Sequence, residues 1–155
     1  MNIRLRNYLE NVRYVHETHR TAYTAQEVAQ EEHVPGKLIA KTIVVKADDG
    51  FAMAVMPATA RADFGKLKSA LGVKEIRLAT ELEFTGLFPD CDVGAMPPFG
   101  NLYGIPVYVD EALAEDEEII FNAGTHQDTI RMRYADFARL AQPMTFDFAL
   151  GRAAA

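Results

Sequence analysis

A chain of 155 residues, 49% hydrophobic and 25% charged, has the balance of one folded domain around a single core. Its formal net charge of −6 argues against broad electrostatic capture of nucleic acid, which needs clustered Lys and Arg. No apolar run reaches bilayer length, the opening "MNIRLRNYLENV" lacks a secretory pattern, and the single cysteine, Cys91, has no internal disulfide partner; a cytoplasmic protein without a membrane partner is expected.

In chain order, Ile3, Leu5, Tyr8, Leu9 and Val12 fall at helical spacing and predict an amphipathic helix. "RYVHETH" alternates and predicts a strand. "TAQEVAQEEH" starts on Thr24 with Glu27 three residues on, the pattern in which side chain and backbone cap each other at a helix start. "LIAKTIVVK", the turn "ADDG" and "FAMAVMP" predict a hairpin. Asp63 caps a short helix that Gly72 ends. "KEIRLA" is a short strand, and Thr80 with Glu83 opens another helix that Gly86 is expected to stop. Then come the loop "DVGAMPPFG", the strands "IPVYVD", "EEIIFNA" and "DTIRMRY", and a helix over about residues 135–141, before Pro143. Hairpin connections outnumber β-α-β alternation. The fold class is therefore α+β: a mixed, largely antiparallel curved sheet surrounded by helices. Residues 1–150 form one domain and 151–155 a short tail.

Elimination narrows the chemistry. Ser69 is the only serine and lies outside any G-x-S-x-G elbow. There is no P-loop and no G-x-G-x-x-G. His16 and His19 sit three apart on a strand and face opposite ways, and no H-x-x-x-H or C-x-x-C pair exists, so no metal or other cofactor is expected. Cys91 would need a nearby histidine to act as a nucleophile and reads as a small loop residue; His126 reads as a surface loop residue. DNA binding is disfavoured by the charge and by the lack of a basic recognition helix.

Three features remain. Lys41 lies mid-strand with isoleucines at both flanking same-face positions, Ile39 and Ile43. Its ammonium must snorkel out, pair with a carboxylate, or point into a wet pocket that meets an anionic or carbonyl-bearing ligand. In "DVGAMPPFG", Pro97 and Pro98 stiffen the chain and have no N–H. The loop is a sheet corner, or else the N–H groups of Gly94, Ala95 and Met96 form a cradle for a developing oxyanion. "NAGTH", residues 122–126, is a hairpin turn or a pocket wall.

Five stretches, "YTAQEVA", "AKTIVVK", "DVGAMPPFG", "GIPVYVD" and "IIFNAG", occur in an order that resembles the YbaK/prolyl-tRNA-synthetase-associated editing domains, from about Tyr23 to Leu140. Those are free-standing aminoacyl-tRNA deacylases. The resemblance implies hydrolysis of the ester of mischarged tRNA, commonly a proline tRNA carrying a smaller amino acid, without a metal. The partner it implies is the tRNA acceptor end with its attached amino acid. The family lysine falls on Lys41, and its G-x-x-x-P loop on Gly94 and Pro98. Its small-residue turn falls on Ala123 and Gly124. By the same resemblance Lys41 and Gly94 carry the reaction, Lys41 by placing the 3′ end, while Ala95, Met96, Pro98, Ala123 and Gly124 bind substrate. Amino-acid size would depend on residues such as Met53, Met56, Met96 and Phe99. The alternative is a binding module that holds an amino acid or the acceptor end without turnover.

Overall fold

In the computed structural model, which describes residues 1–151, the strands sort into two sheets. The smaller holds β1 (Tyr14–Thr18), β7 (Asp128–Arg133) and β6 (Glu118–Asn122), all antiparallel. The larger runs β4 (Ile76–Leu78), β2 (Ala40–Ala47), β3 (Gly50–Pro57), β5 (Val107–Asp110) and β8 (Met144–Phe146). Here β2 pairs antiparallel with β3 and β4, while β5 is parallel to both β3 and β8. The α+β class and the antiparallel majority follow the sequence. The division into two sheets does not, because adjacency of strands distant in sequence leaves no local signature. A parallel bridge from Ile39 to Ile120 joins the sheets.

The main core collects one face of each sheet. Val44, Met53, Val55, Val107 and Val109 meet Ile119, Phe121, Ile130 and Met132, each buried. Leu5 of α1 (Ile3–Tyr8) and Phe137 of α6 (Tyr134–Ala141) join them. The opposite face of the larger sheet, with Ala54 and Met56, packs on Leu67 of α3 (Phe64–Leu71) and on Phe148. This is period-2 alternation seen from both sides.

Two of the predicted caps form in full and one by half. Asp63 accepts from the N–H of Gly65 and Lys66, and Gly72 closes α3 at φ +66°. Thr24 accepts from the N–H of Glu27 to start α2 (Ala25–Glu32), but the Glu27 carboxylate takes the Tyr23 N–H, at 3.4 Å, in place of the Thr24 N–H. Thr80 and Glu83 cap each other reciprocally at α4 (Glu81–Leu87). Gly86 does not stop α4, which runs on to Leu87. Phe84 and Phe88 bury the same helix face in the core, and that packing outweighs a mid-helix glycine penalty of about 1 kcal/mol. The sequence reading also misses α5 (Glu111–Ala114), capped by Asp110, and the three-residue β8. No helix is long and apolar enough to cross a membrane among the described residues. Of the predicted tail, residues 152–155 lie outside the described residues.

Candidate active site

Strand β4 covers β2 only from Val45 to Ala47, and the last contact is the Ala79 N–H on the Val44 carbonyl at 2.9 Å. Before that point, from Ala40 to Val44, β2 is laddered only to β3 among the described residues. Alternation sends Lys41 and Ile43 toward the α3 side and Thr42 and Val44 toward the main core. A hollow opens on each side of this bare edge. One, of about 340 Å³, is lined by Thr42, Ile43, Val44, Leu78, Ala79, Thr80, Glu81, Phe84, Val93, Gly94 and Met96. The other, of about 280 Å³, is lined by Lys41, Ile43, Met56, Arg61, Ala62, Phe64 and Leu78. Ile43 and Leu78 line both and form the ridge between them.

The loop of the first hollow is held from behind by the 122–126 turn. The Asp92 N–H donates to the Gly124 carbonyl at 2.8 Å, and the Gly124 N–H donates to the Ala95 carbonyl at 2.9 Å. The His126 ring Nε2 stands 2.7 Å from the Val93 carbonyl. Gly94 adopts φ +83°, which an L side chain would strain. Met96, Pro97 and Pro98 are buried. The two motifs that the sequence placed far apart thus form one clamp.

That clamp changes the expected donor set. The Ala95 N–H closes a turn on the Asp92 carbonyl at 3.0 Å, so it is already engaged within the loop. The N–H groups of Gly94 and Met96 meet no acceptor among the described residues. Ala123 is also engaged: its N–H bonds the Asp128 carbonyl and its own carbonyl takes the Asn2 N–H, both at 3.0 Å. It supports the turn and is not among the residues lining these two hollows.

On the other side of the edge, Lys41 meets no carboxylate among the described residues. Its ammonium donates to the Ala60 carbonyl and retains two further N–H donors. Burial, and then the charge of Arg61, lower its pKa below the ordinary lysine range. Lys41 is thus half-buried at a hollow, bonded to a backbone carbonyl and not to a carboxylate. Lys41 and Gly94 do not share a hollow; they flank one strand edge. Met56 is buried at the floor of the Lys41 hollow, so it lies away from Gly94.

Two residues expected to size the substrate lie in the core. Phe99 is fully buried, with its ring 5.6 Å from Tyr8 and from Phe121 and 5.3 Å from Phe137. Met53 is likewise buried in the main core.

His126 is not a mere surface residue. It is half-buried against the loop, with Cε1 3.9 Å from where a Cβ on Gly94 would stand. The exposed ring of Tyr23 lies 4.9 Å from it, centroid to centroid. The sequence signal was its place two residues after Gly124 in the turn that holds the loop. Arg61 and Leu78 carried no signal beyond composition. At Cys91, burial, offset in part by the Tyr103 hydroxyl, pushes the thiol up to about 11, a direction that disfavours the thiolate a nucleophile needs.

A family profile described as the aminoacyl-tRNA editing domain matches residues 19–140. The chain is 34% identical over 97 residues to the multifunctional Ser/Thr-tRNA deacylase ProXp-y of Escherichia coli (strain K12), covering 62% of this chain and 58% of that protein. It is 35% identical over 77 residues to the proline–tRNA ligase of Thermosipho africanus (strain TCF52B), covering 50% of this chain and 14% of the ligase. The chain therefore spans less than two thirds of the curated relatives it matches. A crystal structure described as a candidate trans-editing enzyme for prolyl tRNA synthetase superposes with a TM-score of 0.83 at 26% identity, over 96% of each chain.

Proposed function

The chain belongs to the aminoacyl-tRNA editing domain family, and on that premise we propose that it hydrolyses the ester joining an amino acid to the 3′ end of a mischarged tRNA. The substrate this reading takes first is a proline tRNA carrying a smaller amino acid. The activity named for the E. coli relative puts seryl and threonyl esters at the head of the trial panel.

The reading rests on one observation above the rest. Gly94 and Met96 hold unpartnered N–H groups at a ligand-sized hollow, on a loop that the Gly124 turn pins from behind. Such fixed donors suit a charge that develops during reaction. A water oxygen adds to the ester carbonyl carbon, and the carbonyl oxygen takes the negative charge between these two donors. The neighbouring hydroxyl of the terminal ribose takes the proton from water while it passes its own proton to the ester's ribose oxygen. The ester C–O bond then breaks, that ribose oxygen leaves as a hydroxyl, the carbonyl re-forms, and a free amino acid departs. Lys41 places the 3′ end through phosphate or ribose. Positioning and electrostatics supply most of the rate, and every step is assigned to the substrate and to this chain's own groups.

The test is deacylation of a panel of charged tRNAs: proline tRNA carrying alanine, serine, threonine or cysteine, and the cognate seryl and threonyl tRNAs. Release of amino acid above the uncatalysed rate from at least one is expected. Saturable binding with no release from any of them sinks the hydrolase and leaves a binding module.

A further inference from the structure

Resting on the reading of this chain as one that takes charged tRNA, we propose that the two hollows divide the substrate by charge. The Lys41–Arg61 hollow takes the phosphodiester of the terminal nucleotide. The Gly94 hollow takes the aminoacyl group, with its α-ammonium toward Glu81.

The charges that line the two hollows are of opposite sign. In the Lys41 hollow both charged groups are cations, and the other lining residues are apolar. The Arg61 guanidinium is exposed and meets no carboxylate among the described residues, and its charge acts against that of Lys41. Two like charges facing one small hollow form a site that an anion completes. A guanidinium fork beside an ammonium is suited to phosphate oxygens. In the Gly94 hollow the one charged lining residue is Glu81, exposed and without a cation among the described residues. An acid in a helix's first turn suits the helix dipole, but the dipole does not require it to stand at this rim.

An aminoacyl ester has the matching polarity. Its carboxyl group is esterified, so the amino acid brings no negative charge. Its α-amine is a cation, and the nearest anion is the phosphodiester of the terminal nucleotide. Only one orientation pairs these charges favourably. The reverse sets an ammonium against two cations and a phosphate against a carboxylate. In the favoured orientation the ester crosses the Ile43–Leu78 ridge, at the bare edge of β2. Arg61 and Glu81 then act as positioning residues that set substrate direction.

The inference is tested by binding alone. The probe is a fluorescent acceptor-stem hairpin ending in CCA, in three forms: uncharged, carrying alanine through a non-hydrolysable amide, and carrying that alanine with its amine acetylated. Arg61→Ala is expected to weaken all three about tenfold, as for a lost charge-assisted contact. It should also flatten the slope of log affinity against log salt by about 0.7, as for one phosphate on a single strand. Arg61→Lys should keep the slope. Acetylation should weaken binding to the parent chain about threefold, the scale of an exposed ion pair, and leave binding to Glu81→Gln unchanged.

An unchanged salt slope in Arg61→Ala overturns the phosphate assignment. An acetylation effect as large in Glu81→Gln as in the parent overturns the amine assignment. A chain that hydrolyses charged tRNA without these dependences keeps its function and loses this inference. One that shows them and hydrolyses nothing keeps the inference and loses turnover. Thermal midpoints matching the parent's establish that the variants are folded.

Discussion

The Gly124 N–H donates to the Ala95 carbonyl at 2.9 Å, and its own carbonyl takes the Asp92 N–H at 2.8 Å, so one residue grips the 92–100 loop at two points. Gly124 does so at φ +99°, and a Cβ there would stand 2.8 Å from Asn2 Nδ2. Gly124→Ala therefore meets backbone strain and a collision together, and a loss of roughly 2 kcal/mol in urea unfolding is expected. Gly94→Ala, at φ +83° with its Cβ no nearer than 3.9 Å to His126, should lose only about 1 kcal/mol. Hydrogen exchange of the Gly124 amide should speed up in the first variant. Equal stability losses in the two would show that the contact with Asn2 carries no weight.

Lys41 should be dispensable for stability and indispensable for activity. Burial and the charge of Arg61 hold its pKa below the ordinary lysine value. Between the folded and unfolded pKa values the unfolded chain binds more protons, so stability rises with pH across that window. Below that window both states are charged and the fold carries the penalty. Lys41→Met removes the charge and retains most of the stem. Its urea midpoint at pH 7 should equal or exceed the parent's, and the alkaline rise should vanish, while deacylation is lost. A midpoint that falls together with the activity would make Lys41 a structural residue.

The legible parts of the molecule were those written in short windows. Thr80 with Glu83, and Asp63 with Gly72, formed the helix boundaries their spacing predicted. The alternation in "LIAKTIVVK" placed Lys41 correctly against Ile43. Rigidity of the 92–100 loop could be read from its prolines, but its grip by Gly124 joins segments about thirty residues apart and had no local sign. The same limit hid the bare edge of β2, which exists because β4 pairs with only three of its residues. It also misplaced Phe99. A large apolar residue after two prolines reads equally well as pocket wall or as core, and the choice depends on Phe121 and Phe137, far along the chain.

Asp128 should set the acid limit of the fold and of the loop clamp. Burial acts to raise its carboxyl. The hydrogen bonds from Thr125 and His16, each at 2.6 Å, and the Met1 ammonium at 3.0 Å outweigh that and hold it down to about 2. A carboxyl depressed on folding lends stability above its unfolded value near pH 4, and that stability is lost as pH falls toward the folded value. Asp128→Asn should therefore cost about 1–2 kcal/mol at pH 7, and its stability should fall less steeply than the parent's between pH 4 and 2. Parallel acid titrations of the two proteins by circular dichroism would rule out this role. The Ala123 N–H bonds the Asp128 carbonyl, so the loosening should reach the 122–126 turn.

Met96 and Met56 separate amino-acid choice from packing. Both are buried, but Met96 lines the Gly94 hollow and Met56 the Lys41 hollow. Each methionine truncated to alanine should lose about 2–3 kcal/mol, because each leaves a cavity in a packed face. Only Met96→Ala enlarges the space proposed for the amino acid. One added methylene is worth about 1–3 kcal/mol of discrimination in an apolar pocket, so Met96→Ala should raise hydrolysis of larger esters, such as valyl or leucyl, relative to alanyl by tenfold or more. Met56→Ala should leave that ratio unchanged while the half-saturating tRNA concentration rises. The ratio of kcat/KM for two esters cancels any loss of folded protein, so it reads the pocket alone. A preference that shifts in Met56→Ala but not in Met96→Ala would place the amino acid on the Lys41 side of the ridge.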